Sequence, residues 1–197
     1  QCRYGYHVFA NSENNGPRDK SFVNEFIPAF EKKYRVGRHR FLIGQSSGGW
    51  ATLWLQVKYP DIFDGAWAAS PDPIDFRHFE SMGNMYDHKT NVYSKTDGTP
   101  KIHARKDGKV IISNRDYILM EILYGEGQQF GSYESVFSKR GDDGKPMQVF
   151  SRETGYVVTT VSENWKKYDL RYIIENAEEG LLKKLSDKIH IHVANDD

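Results

Sequence analysis

The sequence predicts an α/β fold with a doubly wound, mostly parallel sheet. Two observations carry that prediction. Apolar strand-like runs alternate with helical periodicity through the first seventy residues, and the strand candidates are continuously apolar, as in sheets buried on both faces. Strand, helix, strand, helix, strand within about seventy residues requires crossovers, and crossovers produce parallel pairing.

Taken in order, residues 6–11 (Tyr-His-Val-Phe-Ala-Asn) read as a short buried strand ended by the turn-rich stretch 12–17. Phe22, Val23, Phe26, Ile27, Phe30 and Tyr34 recur at spacings of three and four, the mark of a helix. Pro28 lies inside it and should kink or divide it. Residues 40–43 form a second strand. Trp50, Leu53, Trp54 and Val57 then give a helix over 47–59, stopped by Pro60. Residues 65–70 (Gly-Ala-Trp-Ala-Ala-Ser) form the third strand.

A polar, turn-rich insertion follows the strand ending at Ser70. It spans 73–162, with Asp97-Gly98, Asp107-Gly108 and Asp143-Gly144 as turn signals. Helical pieces are expected over 115–124 and 132–139, and 148–150 should pair with 156–161. The insertion reads either as solvated polypeptide or as a lid or substrate wall within one domain spanning 1–197. A helical stretch over 165–185, divided around Gly180, and a strand over 188–193 restore the rhythm. His190 and His192 share one face of that strand and are expected to pack against a helix.

Composition narrows the function. Twenty-seven basic residues balance twenty-seven acidic ones, so no charge field points to nucleic acid or to an anionic membrane surface. No apolar run is long enough to span a bilayer. The single cysteine, Cys2, cannot form an internal disulfide. No H-x-x-x-H or C-x-x-C spacing favours a metal, and no glycine-rich loop has phosphate-binding spacing, so no cofactor is expected.

Gly44-Gln45-Ser46-Ser47-Gly48 is a G-x-S-x-G pattern between a strand and a helix. A serine nucleophile on such a strained turn needs small residues at both flanks, here Gly44 and Gly48. The following helix N-terminus lies beneath the serine oxygen, and the Ser47 backbone N–H can donate to a developing oxyanion. Without chemistry, the same residues would form a glycine-rich turn.

The strand "YHVFANS", the helix "FVNEFIPAFEKKYRV", the turn "GQSSGGWAT" and the segment "KYPDIFDGAWAASP" together resemble the putative esterase family of α/β-hydrolases. The resemblance covers the first third well and the last thirty residues moderately. It implies a carboxylic-ester hydrolase acting on small-molecule esters through an acyl-enzyme on Ser46, with a serine–acid–histidine relay and no metal. The acid is expected in the loop after the last strand, at Asp197 or Asp196, a stretch that otherwise reads as a polar turn. Asp72 and Asp75 are further options, because some relatives take the acid from that earlier strand. None of the seven histidines (His7, His39, His78, His88, His103, His190, His192) follows the acid in chain order, so the histidine is expected outside this chain. The chain accordingly reads as incomplete at both ends, with the oxyanion loop upstream of Gln1. Two other readings share these residues: a non-catalytic binding module on the same fold, and a serine peptidase of the prolyl-oligopeptidase type, whose usual propeller repeats are not seen in the sequence.

Overall fold

The computed structural model describes residues 2–194. In chain order it contains α1 (Arg18–Ser21), a π-helical segment (Phe22–Phe26), α2 (Ile27–Lys33), β1 (Phe41–Ser46), α3 (Ser47–Lys58) and β2 (Gly65–Pro71). There follow β3 (Ile102–Lys106), β4 (Lys109–Ser113), α4 (Asn114–Tyr124), α5 (Gln129–Phe137), α6 (Thr159–Ser162), α7 (Leu170–Glu175), α8 (Glu179–Leu185) and β5 (Ile189–His192). The described residues fall into two compact units. One holds His7–Asn11, Gly16–Ile74 and the residues from Lys167 onward, and the other holds those up to Tyr6, Ser12–Asn15 and Asp75–Lys166.

The first unit is built on a parallel three-stranded sheet of order β1-β2-β5. Helix α3 packs on β1 and β2. Its residues from Gly49 to Val57 are all buried, so it lacks a solvent face over most of its length. Trp50 and Trp54 stack along it at 5.3 Å. Buried Asp19 in α1 accepts from Trp54 Nε1 at 3.2 Å and from the Tyr59 hydroxyl at 2.7 Å. Burial and that hydrogen bond push the Tyr59 phenol well above its usual range. Among the described residues, the opposite face of the sheet is open: Ile43 is 87% exposed, and Phe41 and Trp67 are also exposed.

Several local expectations are corrected. Residues 6–11 form a turn rather than a strand. Val8 and Phe9 have positive φ (41° and 52°), and the Ala10 N–H donates to His7 O at 2.9 Å. Val8 and Ala10 are buried, so the apolar signal was real. What is missing among the described residues is a neighbouring strand to pair with, and an unpaired segment gains nothing from extending. Pro28 is accommodated by the π-helical segment just before α2, which absorbs its missing donor and the crowding of the carbonyl four residues back. The break in the late helical stretch falls at residues 176–178, and Gly180 lies inside α8. His190 stacks on the Trp67 ring at 4.5 Å rather than packing against a helix.

The second unit has an aromatic core. Phe76, Phe79, Phe137 and Trp165 meet at centroid distances of 5.0–5.7 Å. Helices α4 and α5 lie close to their expected positions. The β3–β4 hairpin was announced only by its Asp107-Gly108 turn. The expected pairing of 148–150 with 156–161 shrinks to a single bridge between Phe150 and Val157, because residues 159–162 wind into α6. Within this core, buried Glu134 accepts from Val149 N–H at 2.9 Å and from Arg152 Nη2 at 2.6 Å. The Arg152 guanidinium lies 4.1 Å from the centre of the Phe150 ring. Burial pushes the Glu134 carboxyl up, and Arg152 opposes that rise.

Arg152→Ala should therefore cost about 3 kcal/mol, because it strands a buried carboxylate. Losing the guanidinium raises the Glu134 carboxyl further, so the cost should be greatest at neutral pH and shrink as the medium becomes acidic enough to protonate it. Urea denaturation of both proteins at about pH 7 and about pH 5 measures this difference. An equal deficit at both values would contradict it.

Candidate functional site

The site is assembled where β1 hands over to α3. Ser46 is the last residue of β1 and immediately precedes Ser47, the first of α3. Its backbone has φ 54° and ψ −125°, a conformation that L-residues with side chains adopt only when their surroundings enforce it. The enforcing contact is a close approach of backbone to backbone. A Cβ placed on Gly44 would lie 2.1 Å from Gly48 O and 2.7 Å from Thr52 Oγ1. Thr52 Oγ1 in turn donates to Gly48 O at 2.7 Å. Only glycine at 44 lets the first turn of α3 fold back on the strand.

The second flank differs from the sequence expectation. A Cβ on Gly48 would meet nothing within 4 Å, whereas one on Gly49 would lie 3.1 Å from Pro71 Cα and 3.2 Å from Ala69 O. Gly49 is thus the residue that lets α3 sit close to β2. Sequence reasoning missed it, although the doubled glycine was its visible signal.

Strand β2 contributes the third part. Register slips between Gln45 and Ser46, so that Ser46 lies opposite Pro71 and Ser70 is passed over. Ser70 has φ 35°, the local kink expected of a bulge. The kink carries Asp72 to the end of β1. Its N–H donates to Ser46 O at 3.2 Å. Its carboxylate, in a residue only 7% exposed, accepts from Ser46 Oγ at 3.0 Å and from Ser47 Oγ at 2.5 Å. A serine at the start of a helix ordinarily turns its oxygen to the helix N–H groups. Ser46 makes no such capping bond, and its hydroxyl goes to Asp72 instead. The positive end of twelve-residue α3 therefore faces a region holding two hydroxyls and one carboxylate.

Asp196 and Asp197 lie outside the described residues. Asp75 caps a 3₁₀ turn, accepting from Arg77 N–H at 3.1 Å and Arg77 Nε at 2.9 Å. Among the described residues, no histidine is hydrogen-bonded to Ser46 or Asp72. His7 Nδ1 accepts from the Phe9 N–H at 3.0 Å, His39 lies 3.6 Å from Asp64, and His88 lies 3.9 Å from Asp87. His103 stacks on Tyr117 at 3.8 Å, and burial pushes its imidazole below the usual range. His78 sits in a 3₁₀ turn, and His192 is exposed on β5. No group of three or more His, Cys, Asp or Glu is arranged to hold a metal among the described residues. No described helix is long and apolar enough to cross a membrane.

The two glycines should respond oppositely to alanine. Gly44→Ala should destabilise the protein by more than about 2 kcal/mol, the range of severe steric substitutions. Gly48→Ala, at a helical position with open space, should be neutral or stabilising by up to about 1 kcal/mol. Denaturation midpoints of the two variants check the contrast, and a tolerated Gly44→Ala would refute the close approach.

A sequence model of the family described as "Putative esterase" matches residues 3–171, most of the chain and all of the strand-to-helix turn. Among curated proteins, none matches the chain. The chain therefore belongs to the putative esterase family, a family of ester hydrolases.

Proposed function

We propose that this chain carries the nucleophile of a carboxylic-ester hydrolase that works through an acyl-enzyme on Ser46, on an α/β-hydrolase fold. The observation that carries the reading is the backbone of Ser46: φ 54° at the junction of a parallel strand and a buried helix, with a hydroxyl that does not cap that helix. Such a turn stores of order 1–3 kcal/mol of strain. The family match supports ester hydrolysis as the reaction.

In this mechanism Ser46 Oγ attacks the ester carbonyl carbon as its proton passes to a base. The carbonyl oxygen becomes an oxyanion, to which the Ser47 N–H donates. The C–O bond to the alcohol then breaks, and the alcohol leaves with the proton from the base. Water repeats the attack on the acyl-serine and regenerates the hydroxyl. The base in this reading is a histidine, with Asp197 or Asp196 as the acid that orients it. Among the described residues no histidine is hydrogen-bonded to Ser46, and a carboxylate oxygen 3.0 Å from Ser46 Oγ leaves no room for an imidazole between them. That spacing argues against Asp72 as the relay acid.

Ser46→Ala should abolish covalent labelling by a fluorophosphonate probe and hydrolysis of p-nitrophenyl acetate, while unfolding free energy stays within about 1 kcal/mol of the parent. Labelling that persists in the variant would place the nucleophile elsewhere. A parent protein that never labels would favour the binding-module reading.

A further inference from the structure

We propose that Asp72 is a positioning residue that sets the plane of the Ser46–Ser47 peptide and so aims the Ser47 N–H at the oxyanion. The inference rests on the proposed acyl-enzyme chemistry and gives that site a further working part.

A trans peptide is planar, with its C=O and N–H pointing in opposite directions across the same bond. Fixing one end therefore fixes the other. The Asp72 N–H donates to Ser46 O at 3.2 Å, holding the carbonyl end of this peptide toward β2. The Ser47 N–H consequently points the other way. A second restraint comes from the Ser47 side chain, whose Oγ donates to Asp72 Oδ2 at 2.5 Å. Asp72 thus grips the peptide from both of its residues, and the grip is itself held by the bulge at Ser70 and by burial.

The bond from Ser46 Oγ to Asp72 Oδ1 has a separate meaning. A serine hydroxyl has one proton, and here it is directed at Asp72. For acyl transfer the same proton must turn to the base, and the Ser46 bond to Asp72 opens. The Ser47 and backbone restraints need not change, so the N–H stays aimed while the nucleophile is released. Oxyanion stabilisation is worth little in the ground state and much in the transition state. A residue that only aims this donor should therefore act on kcat rather than KM.

The test is a kinetic series on the protein with p-nitrophenyl acetate and a fluorophosphonate probe. Asp72→Ala, which removes the side-chain restraint and leaves the Asp72 N–H on Ser46 O, should lower kcat several-fold and slow labelling in proportion, with KM within about twofold of the parent. Asp72→Asn keeps an acceptor for Ser47 Oγ and should recover part of that loss. Ser47→Ala, which leaves Asp72 and the Ser46 hydroxyl in place, should lower kcat several-fold at unchanged KM. Adding it to Asp72→Ala should bring little further loss, because both act through one restraint. Ser47→Ala also serves if Asp72→Ala does not fold. Unchanged kcat in Ser47→Ala, or losses in Asp72→Ala confined to KM, would overturn the positioning role while the parent still labels. A parent that does not label would instead remove the acyl-enzyme reading on which the role depends.

Discussion

The close approach of Gly48 to Gly44 is the constraint on which the rest of the site depends. It forces a strand and a helix to join with no intervening loop, and it leaves Ser46 in a conformation that its own preferences oppose. A strained residue persists only when its neighbours over-determine it. Here those neighbours are the fully buried length of α3 and the parallel pairing of β1 with β2. The short connection and the strain are parts of one arrangement: a relaxed turn would be longer and would lower the serine oxygen toward the helix N–H groups.

Three buried carboxylates organise the two units in the same physical manner. Asp19 gathers Trp54 and Tyr59, Asp72 gathers Ser46 and Ser47, and Glu134 gathers Val149 and Arg152. Each accepts from donors 15 to 40 residues away from it in sequence, and each gives up hydration that must be replaced by directed hydrogen bonds. The bonds differ in consequence. Those to Asp19 and Glu134 lock cores. Those to Asp72 hold a hydroxyl that the proposed chemistry must release, so one of its bonds has to be breakable while the others persist.

Much of the sheet unit could be read from the sequence, because its signals are local. Continuous apolar runs and helical spacing reflect burial of neighbouring residues, and β1, α3, β2 and β5 all appeared within a few residues of their expected limits. The same logic failed at residues 6–11, where burial occurs without strand pairing. It also failed for the β3–β4 hairpin, whose mixed polar composition carries little periodic signal. Around Pro28 the sequence foretold a disturbance, and the structure showed its form, a π-helical segment.

By itself the sequence determined the parallel α/β rhythm, the family, and the place of Ser46 between a strand and a helix, since all three are written in contiguous residues. The tertiary structure decided what surrounds that serine. Gly49 became the second tight position because Pro71 and Ala69 pass beside it. Asp72 reached the serine because β2 slips its register by one residue at Ser70. Strand register and bulges are settled by pairing between distant segments, and a spacing of twenty-six residues along the chain holds no record of a 3.0 Å contact across it.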